Sequence, residues 1–274
     1  EKKVRSINNF NIFRELTVNL LNNFKWKTSM KWSNYSEKWI RPIKNIVCFF
    51  DEKKIDLSFC GIKSSDEVYC NVGYEKNKFK FQNFLNYKKT LERKFVYIDR
   101  KTRIKKIIGQ IQNIEKKNKI KFNMDNDLLI ECANFCENPV IFESRFDEKF
   151  FNMPKIFIQR ILKEKQKYFS FYNSDGELSN IFAFIANNKK DPNLIIRNGH
   201  KKVLEARLKD TSFFINEDLL LKLSNRIELL RDITYFEGLG NLELKVNRLL
   251  SLSKFLCKEI NFKLSPASEK IILI

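Results

Sequence analysis

Histidine is almost absent from this 274-residue chain, which carries one, His200. A lone imidazole excludes the multi-histidine metal centres and leaves no serine or cysteine nucleophile flanked by a plausible base. Glycine is scarce too, at seven residues, and neither GxGxxG nor any other phosphate-cradling loop occurs. With five prolines, no Ser/Gly linker and no internal repeat, nothing flexible marks a domain boundary. No apolar run approaches the ~18 residues that would span a bilayer, and no signal peptide opens the sequence. The six cysteines (Cys48, Cys60, Cys70, Cys132, Cys136 and Cys257) form no CxxC pair. Cys132 and Cys136 could share a helix face, but two thiols without further ligands make a poor zinc site, so the expectation is buried, reduced thiols.

What the chain does have is apolar bulk and positive charge. At 43% hydrophobic, with 26 phenylalanines, it can bury a sizeable core. Its net charge is +19. Residues 88–121 concentrate that charge, with 13 Lys or Arg against Glu92, Asp99 and Glu115, a local balance of +10. A cluster of this kind attracts a polyanion and releases its counterions, so that binding is strongly salt-dependent. Compositional drift towards Lys, Asn, Ile and Phe is the competing account, and charge clustering alone does not choose between them. Lys101, Arg103, Lys105 and Lys106 are the candidate nucleic-acid contacts in this stretch.

Periodicity and punctuation suggest the elements. Residues 11–24, 83–94, 100–117 and 127–135 read as helices, the last stopped near Asn138 and Pro139. Residues 43–50 and 55–60 read as strands joined by a charged turn at 51–54, and 95–98 as a further strand. Residues 140–143, 168–172 and 178–186 read as strands, the last two a hairpin around Ser174, Asp175 and Gly176. Pro154 suits the start of a helix over 155–165. Asn198 and Gly199 read as a turn into a helix with Val203, Leu204 and Leu208 on one face and the aromatic pair Phe213 and Phe214 at its end. Beyond Asn198 the pattern is helical only.

The literal residues of that last segment add more. Gly199, Lys202, Val203, Leu204, Ala206, Arg207, Leu208, Asp210, Phe213, Phe214 and Asp218 match, in order, a block of the beta subunit of the heterotetrameric bacterial glycyl-tRNA synthetase, which the chain resembles. Other blocks follow the same order. Ser29, Met30 and Trp32, then Trp39, Arg41 and Pro42, resemble an early stretch, and Gly61, Ile62 and Ser64 the "glycine-isoleucine-x-serine" after it. Glu137, Pro139, Val140, Phe146, Glu148, Phe150 and Pro154 resemble a central one, and Gln166, Lys167, Tyr168, Phe169, Asp175 and Gly176 a hairpin. Residues 182–187 are similar to a strand ending in "alanine-asparagine", and Phe236, Leu239, Gly240, Lys245 and Arg248 to a later helix start. The resemblance covers about residues 16–248.

The resemblance implies an α/β (α+β) domain over 1–193, similar to the editing-type domain of phenylalanyl-tRNA synthetase. Residues 194–274 would open an all-helical region similar to HD-type phosphohydrolases. It implies that the alpha subunit carries the class II ligase site with ATP and Mg²⁺, and that this chain binds no cofactor or metal and supplies no catalytic residue. Its part would be to recognise tRNA(Gly) and complete a cytoplasmic α2β2 heterotetramer. Family members are longer on both sides, so an internal piece is expected. Arg41 and Arg207, with Lys167 and Lys202 behind them, join the contact candidates. A local ion pair with Asp210 is the alternative for Arg207, and a structural role for Arg41. Trp32 and Trp39 are expected in the core.

Two other functions remain open from sequence: a stand-alone RNA-binding module that has lost the ligase, and hydrolytic editing of mischarged tRNA. Four departures bear on them. The family's "glycine-histidine-arginine-phenylalanine" is missing near Cys70–Gly73. Glu205 replaces a usual arginine, and Asn138 a tryptophan. His200 replaces a usual asparagine and is expected to be exposed and structural.

Overall fold

The computed structural model describes residues 9–50, 52–72, 75–187, 190–263, 265, 266 and 268. Helix α1 (Asn9–Asn23) opens them. Short strands follow: β1 (Ile46–Val47), β2 (Phe49–Phe50), β3 (Lys53–Lys54), β4 (Ser58–Phe59) and β5 (Ile62–Ser65). The hairpin β6 (Glu67–Val72) and β7 (Glu75–Lys80) leads to helices α2 (Phe84–Arg93), α3 (Arg100–Asn118) and α4 (Asn126–Phe135). Strand β8 (Val140–Arg145), a 3-10 turn (Glu148–Asn152), helix α5 (Lys155–Arg160) and a π-type turn (Ile161–Lys165) come next. Strands β9 (Phe169–Tyr172) and β10 (Leu178–Ala186) precede the long helix α6 (Ile195–Leu220). The small strands β11 (Thr234–Phe236) and β12 (Gly240–Asn241) lead into α7 (Leu242–Glu259). The chain divides into two compact units, Glu1–Phe146 with Leu162–Lys202, and Asp147–Ile161 with Val203–Ile274.

The first unit is built on an antiparallel sheet ordered β8-β10-β9. Its central strand β10 is apolar almost throughout because both faces are covered. Ile181 and Ala183 join Phe169 and Phe171 of β9 in a cluster with Ile107, Ile111 and Ile114 of α3 and Leu128, Leu129, Cys132 and Ala133 of α4. The intervening Phe182 and Phe184 point the other way, onto Tyr168 at ring-centroid separations of 5.2 and 5.7 Å. Period-2 alternation thus serves two cores. The edge strand β8 is closed by Gln110 of α3, whose side-chain oxygen accepts from Ile141 N (2.9 Å) while its amide donates to Pro139 O (2.9 Å).

Around Gly61 the chain makes a second small sheet, β1-β5-β4, with β1 and β5 parallel. Ser64 is buried there, donating to Ile55 O (2.7 Å) and accepting from Leu57 N (2.9 Å). Gly61 has φ +70, and a Cβ at that position would run into the ring of Tyr35. The matched glycine-isoleucine-x-serine is therefore a structural clasp.

Four sequence expectations need correction. Residues 95–98 form no strand: Phe95 takes φ 63, and the carbonyls of Tyr97 and Ile98 are met by the Arg103 guanidinium. The two strands expected over 43–60 are broken into shorter ones, because Phe49 and Phe50 pair with Lys54 and Lys53, inside the expected turn. Asn198 and Gly199 lie within α6, whose start is fixed earlier by Asp191; that carboxylate accepts from Ile196 N (2.7 Å) and Arg197 N (3.0 Å). The region beyond Asn198 is not helical only, since β11 and β12 pair antiparallel before α7.

In the second unit Phe150, Met153, Ile158, Leu204 and Leu208 are buried. Val203 is not on their face, being 49% exposed where Leu204 and Leu208 are sealed. Phe213 and Phe214 stand exposed, and α7 buries no residue.

Candidate nucleic-acid interface

The basic cluster is organised by α3. Asp99 caps its start, accepting from Lys101 N (3.3 Å), Thr102 N (3.2 Å) and the Thr102 hydroxyl (3.0 Å). That hydroxyl first, and then the two N–H groups, hold the Asp99 carboxyl below its ordinary pKa. At the far end Glu115 turns away to accept from Phe122 N (2.8 Å). Two of the three acids of the stretch are thus occupied with backbone groups at or beyond the helix ends. With Ile107, Ile111 and Ile114 facing the core, helical periodicity puts Lys101, Lys105, Gly109, Gln112 and Lys116 in one exposed row on the opposite side. Among the described residues Lys101, Lys105 and Lys116 have no ion-pair partner, so the row keeps its charge.

Of the eight candidate contacts only Lys101 and Lys105 lie on that row, and the other six stand elsewhere. Arg103 points inward, donating through Nε to Ala133 O (2.7 Å) and through one terminal nitrogen to Tyr97 O and Ile98 O (3.0 Å to the latter). Lys106 lies over the Tyr97 ring at 4.3 Å and donates to its hydroxyl (3.1 Å). Lys167, with φ 57, pairs with Glu131 at 3.0 Å. Arg41 is exposed in a bend before Pro42, and Lys202 is exposed on α6. Arg207 stands 3.9 Å from Asp210, both 63% exposed, an ion pair of small energetic weight. Sequence reasoning passed over Lys116, although its spacing of fifteen from Lys101 keeps it in phase with the helix.

Gly109 sits in the middle of the row. Its φ is not left-handed, and a Cβ added there would meet nothing within 4 Å. A mid-helix glycine costs about 0.8–1.0 kcal/mol relative to alanine, and no packing among the described residues explains it.

The second unit carries a different surface. A groove of about 900 Å³ is floored by Phe150, Met153, Pro154, Phe157, Ile215 and Leu219 and edged by Lys149 and Lys209. The stripe of α6 that is sealed at Leu204 and Leu208 emerges at Leu219, 78% exposed.

Among the described residues no three His, Cys, Asp or Glu side chains come together as a metal site. No helix among them is long and apolar enough to cross a membrane. Burial raises the Cys132 thiol to about 12 and the Cys136 thiol to about 11, so both are protonated.

The family model "Glycyl-tRNA synthetase beta subunit" matches residues 1–272. The chain is 34% identical over 225 residues to the glycine–tRNA ligase beta subunit of Streptococcus pneumoniae, covering 82% of this chain and 33% of that protein. It is 30% identical over 244 residues to that of Alteromonas mediterranea (89% and 35%) and 28% over 245 residues to that of Rickettsia canadensis (89% and 37%). The chain belongs to the glycyl-tRNA synthetase beta-subunit family. It spans about a third of the length of these relatives.

As a member of that family, the chain carries its departures in explicable places. His200 is not exposed: it stacks on Phe184 at 3.7 Å, and its Nδ1 lies 2.7 Å from the Tyr168 hydroxyl. Burial lowers its pKa, against a smaller opposing pull from Asp191. Burial likewise raises the Tyr168 phenol to about 12. The early start of α6 puts His200 against the sheet. Glu205 accepts from Asp147 N (3.1 Å), steadying the start of the 3-10 turn, a contact that an arginine there would not make. Asn138 is buried, its N–H donating to Asn187 Oδ1 (3.4 Å). Of the stretch with the missing motif, the backbone of residues 70–72 lies in β6, and Gly73 falls outside the described residues. Trp39 is half-buried against Trp26 (5.0 Å), Phe59 (5.5 Å) and Phe24 (5.8 Å), and Trp32 is half-buried too.

Proposed function

We propose that the chain acts within the beta subunit of a glycine–tRNA ligase, binding tRNA(Gly) and completing a cytoplasmic α2β2 assembly. The alpha subunit would perform the ATP- and Mg²⁺-dependent attachment of glycine. The family match carries this reading, and the unpaired basic row of α3 supports the RNA-binding part. The open apolar groove of the second unit and the share of its relatives that the chain spans support work within a larger assembly. The first unit is proposed to share the editing-type fold of phenylalanyl-tRNA synthetase, and the helical end to begin an HD-like region. Arg41, Lys202 and Arg207, which expose their cations, are proposed as further RNA contacts.

The test is glycylation of tRNA(Gly) by the beta subunit with and without alpha. Charging only when both are present supports the proposal. RNA binding without charging in the presence of alpha would replace it with a stand-alone binding module. Release of amino acid from mischarged tRNA by this chain alone would replace it with editing.

A further inference from the structure

We infer that Gly109 is the point at which α3 lets an RNA backbone come closest, and that the row around it is the contact line. The inference rests on the RNA-binding reading above and adds the residue that sets its geometry. From Lys101 to Lys116 the row is about 22 Å long, with Gly109 about 6 Å beyond Lys105 and about 10 Å before Lys116. Lysine ammoniums stand on flexible four-carbon stems that rise around a partner's charge, whereas Gly109 lowers the crest of the helix between them. Beside it Gln112 offers an exposed amide with both donors and an acceptor.

Three observations make the glycine informative. It is exposed and mid-helix, where glycine is unfavourable. Its backbone is not left-handed, so conformation does not call for it. Among the described residues nothing lies within 4 Å of the place a Cβ would take, so their packing does not call for it either. The open space above Gly109 would let a partner's own backbone pass close to the helix. A polyanion fits the unpaired lysines on either side, and a ribose–phosphate strand also presents 2′-hydroxyls to the Gln112 amide.

The experiment pairs thermal melting of the 274-residue chain with fluorescence-anisotropy titration of a labelled tRNA(Gly) transcript across a salt series. Gly109→Ala is expected to raise Tm by about 2–4 °C while weakening tRNA binding about threefold or more. Gly109→Met is expected to weaken it further, since bulk and not charge is the variable. A higher Tm with unchanged affinity in both variants would overturn the role of Gly109. The RNA reading would survive that result if the combined Lys101→Glu, Lys105→Glu and Lys116→Glu chain still lost affinity and flattened the salt slope, by up to ~0.9 per phosphate contact. Unchanged affinity and slope in the combined variant would overturn the contact line and Gly109 with it. If that variant instead lost its hold on the alpha subunit, the occupant would be an acidic protein surface and not RNA.

Discussion

Replacing Arg103 by alanine is expected to loosen the fold around α3 rather than to act on RNA alone. The guanidinium holds three backbone carbonyls: Ala133 O near the end of α4, where helical carbonyls lack intrahelical partners, and Tyr97 O and Ile98 O in the segment that forms no strand. A hydrogen bond from a charged donor is worth about 1.5–3 kcal/mol, but a half-buried guanidinium keeps part of its hydration, so the three together come to about 2–3 kcal/mol. At about 2–4 °C per kcal/mol for a chain of this size, Tm should fall by roughly 5–10 °C. Arg103→Lys should recover about a third at most, since an ammonium lacks the planar fork that reaches acceptors on two elements. Lys105→Ala, on the exposed row, should stay within about 0.5 kcal/mol of the parent. Thermal denaturation of the three variants, with amide exchange read over residues 95–99, makes the comparison. An Arg103→Ala chain that melts within a degree of Lys105→Ala would refute the staple and return Arg103 to the contact candidates.

Acidification should destabilise the first unit through His200. Its folded pKa lies below the ordinary value of about 6.5, so the unfolded chain takes up the proton first and stability falls as pH drops through the window between the two. Urea melts at pH 8, 7, 6 and 5 should show this slope flattened in His200→Phe, and an identical pH profile in that variant would remove His200 as its source. In the second unit Leu208→Ala should cost about 2–5 kcal/mol because the side chain is sealed. Leu219→Ala, on the open continuation of the same stripe, should cost less than about 0.5 kcal/mol. Equal losses in the two would mean that Leu219 is covered in solution.

The helices around the basic cluster were legible because their signals are local. Isoleucines at helical spacing and Asp99 before them define α3, and Leu178–Ala186 stands as the sequence had it. Errors came where distant groups supplied the partners. The expected strand at 95–98 lost its carbonyls to a guanidinium from the next helix, and a favourable turn pair at Asn198 and Gly199 was absorbed into α6 because Asp191 had already capped its start.

Family membership and the excess of positive charge were fixed by residue order and composition, which need no coordinates. Which cations remain at the surface is another matter. Arg103 and Lys105 are two residues apart and chemically alike in sequence, yet one is spent on carbonyls and the other faces solvent. A helix turns 100° per residue, so two positions carry a side chain to the far side, and only the packing of α3 against α4 and the sheet determines which side is buried.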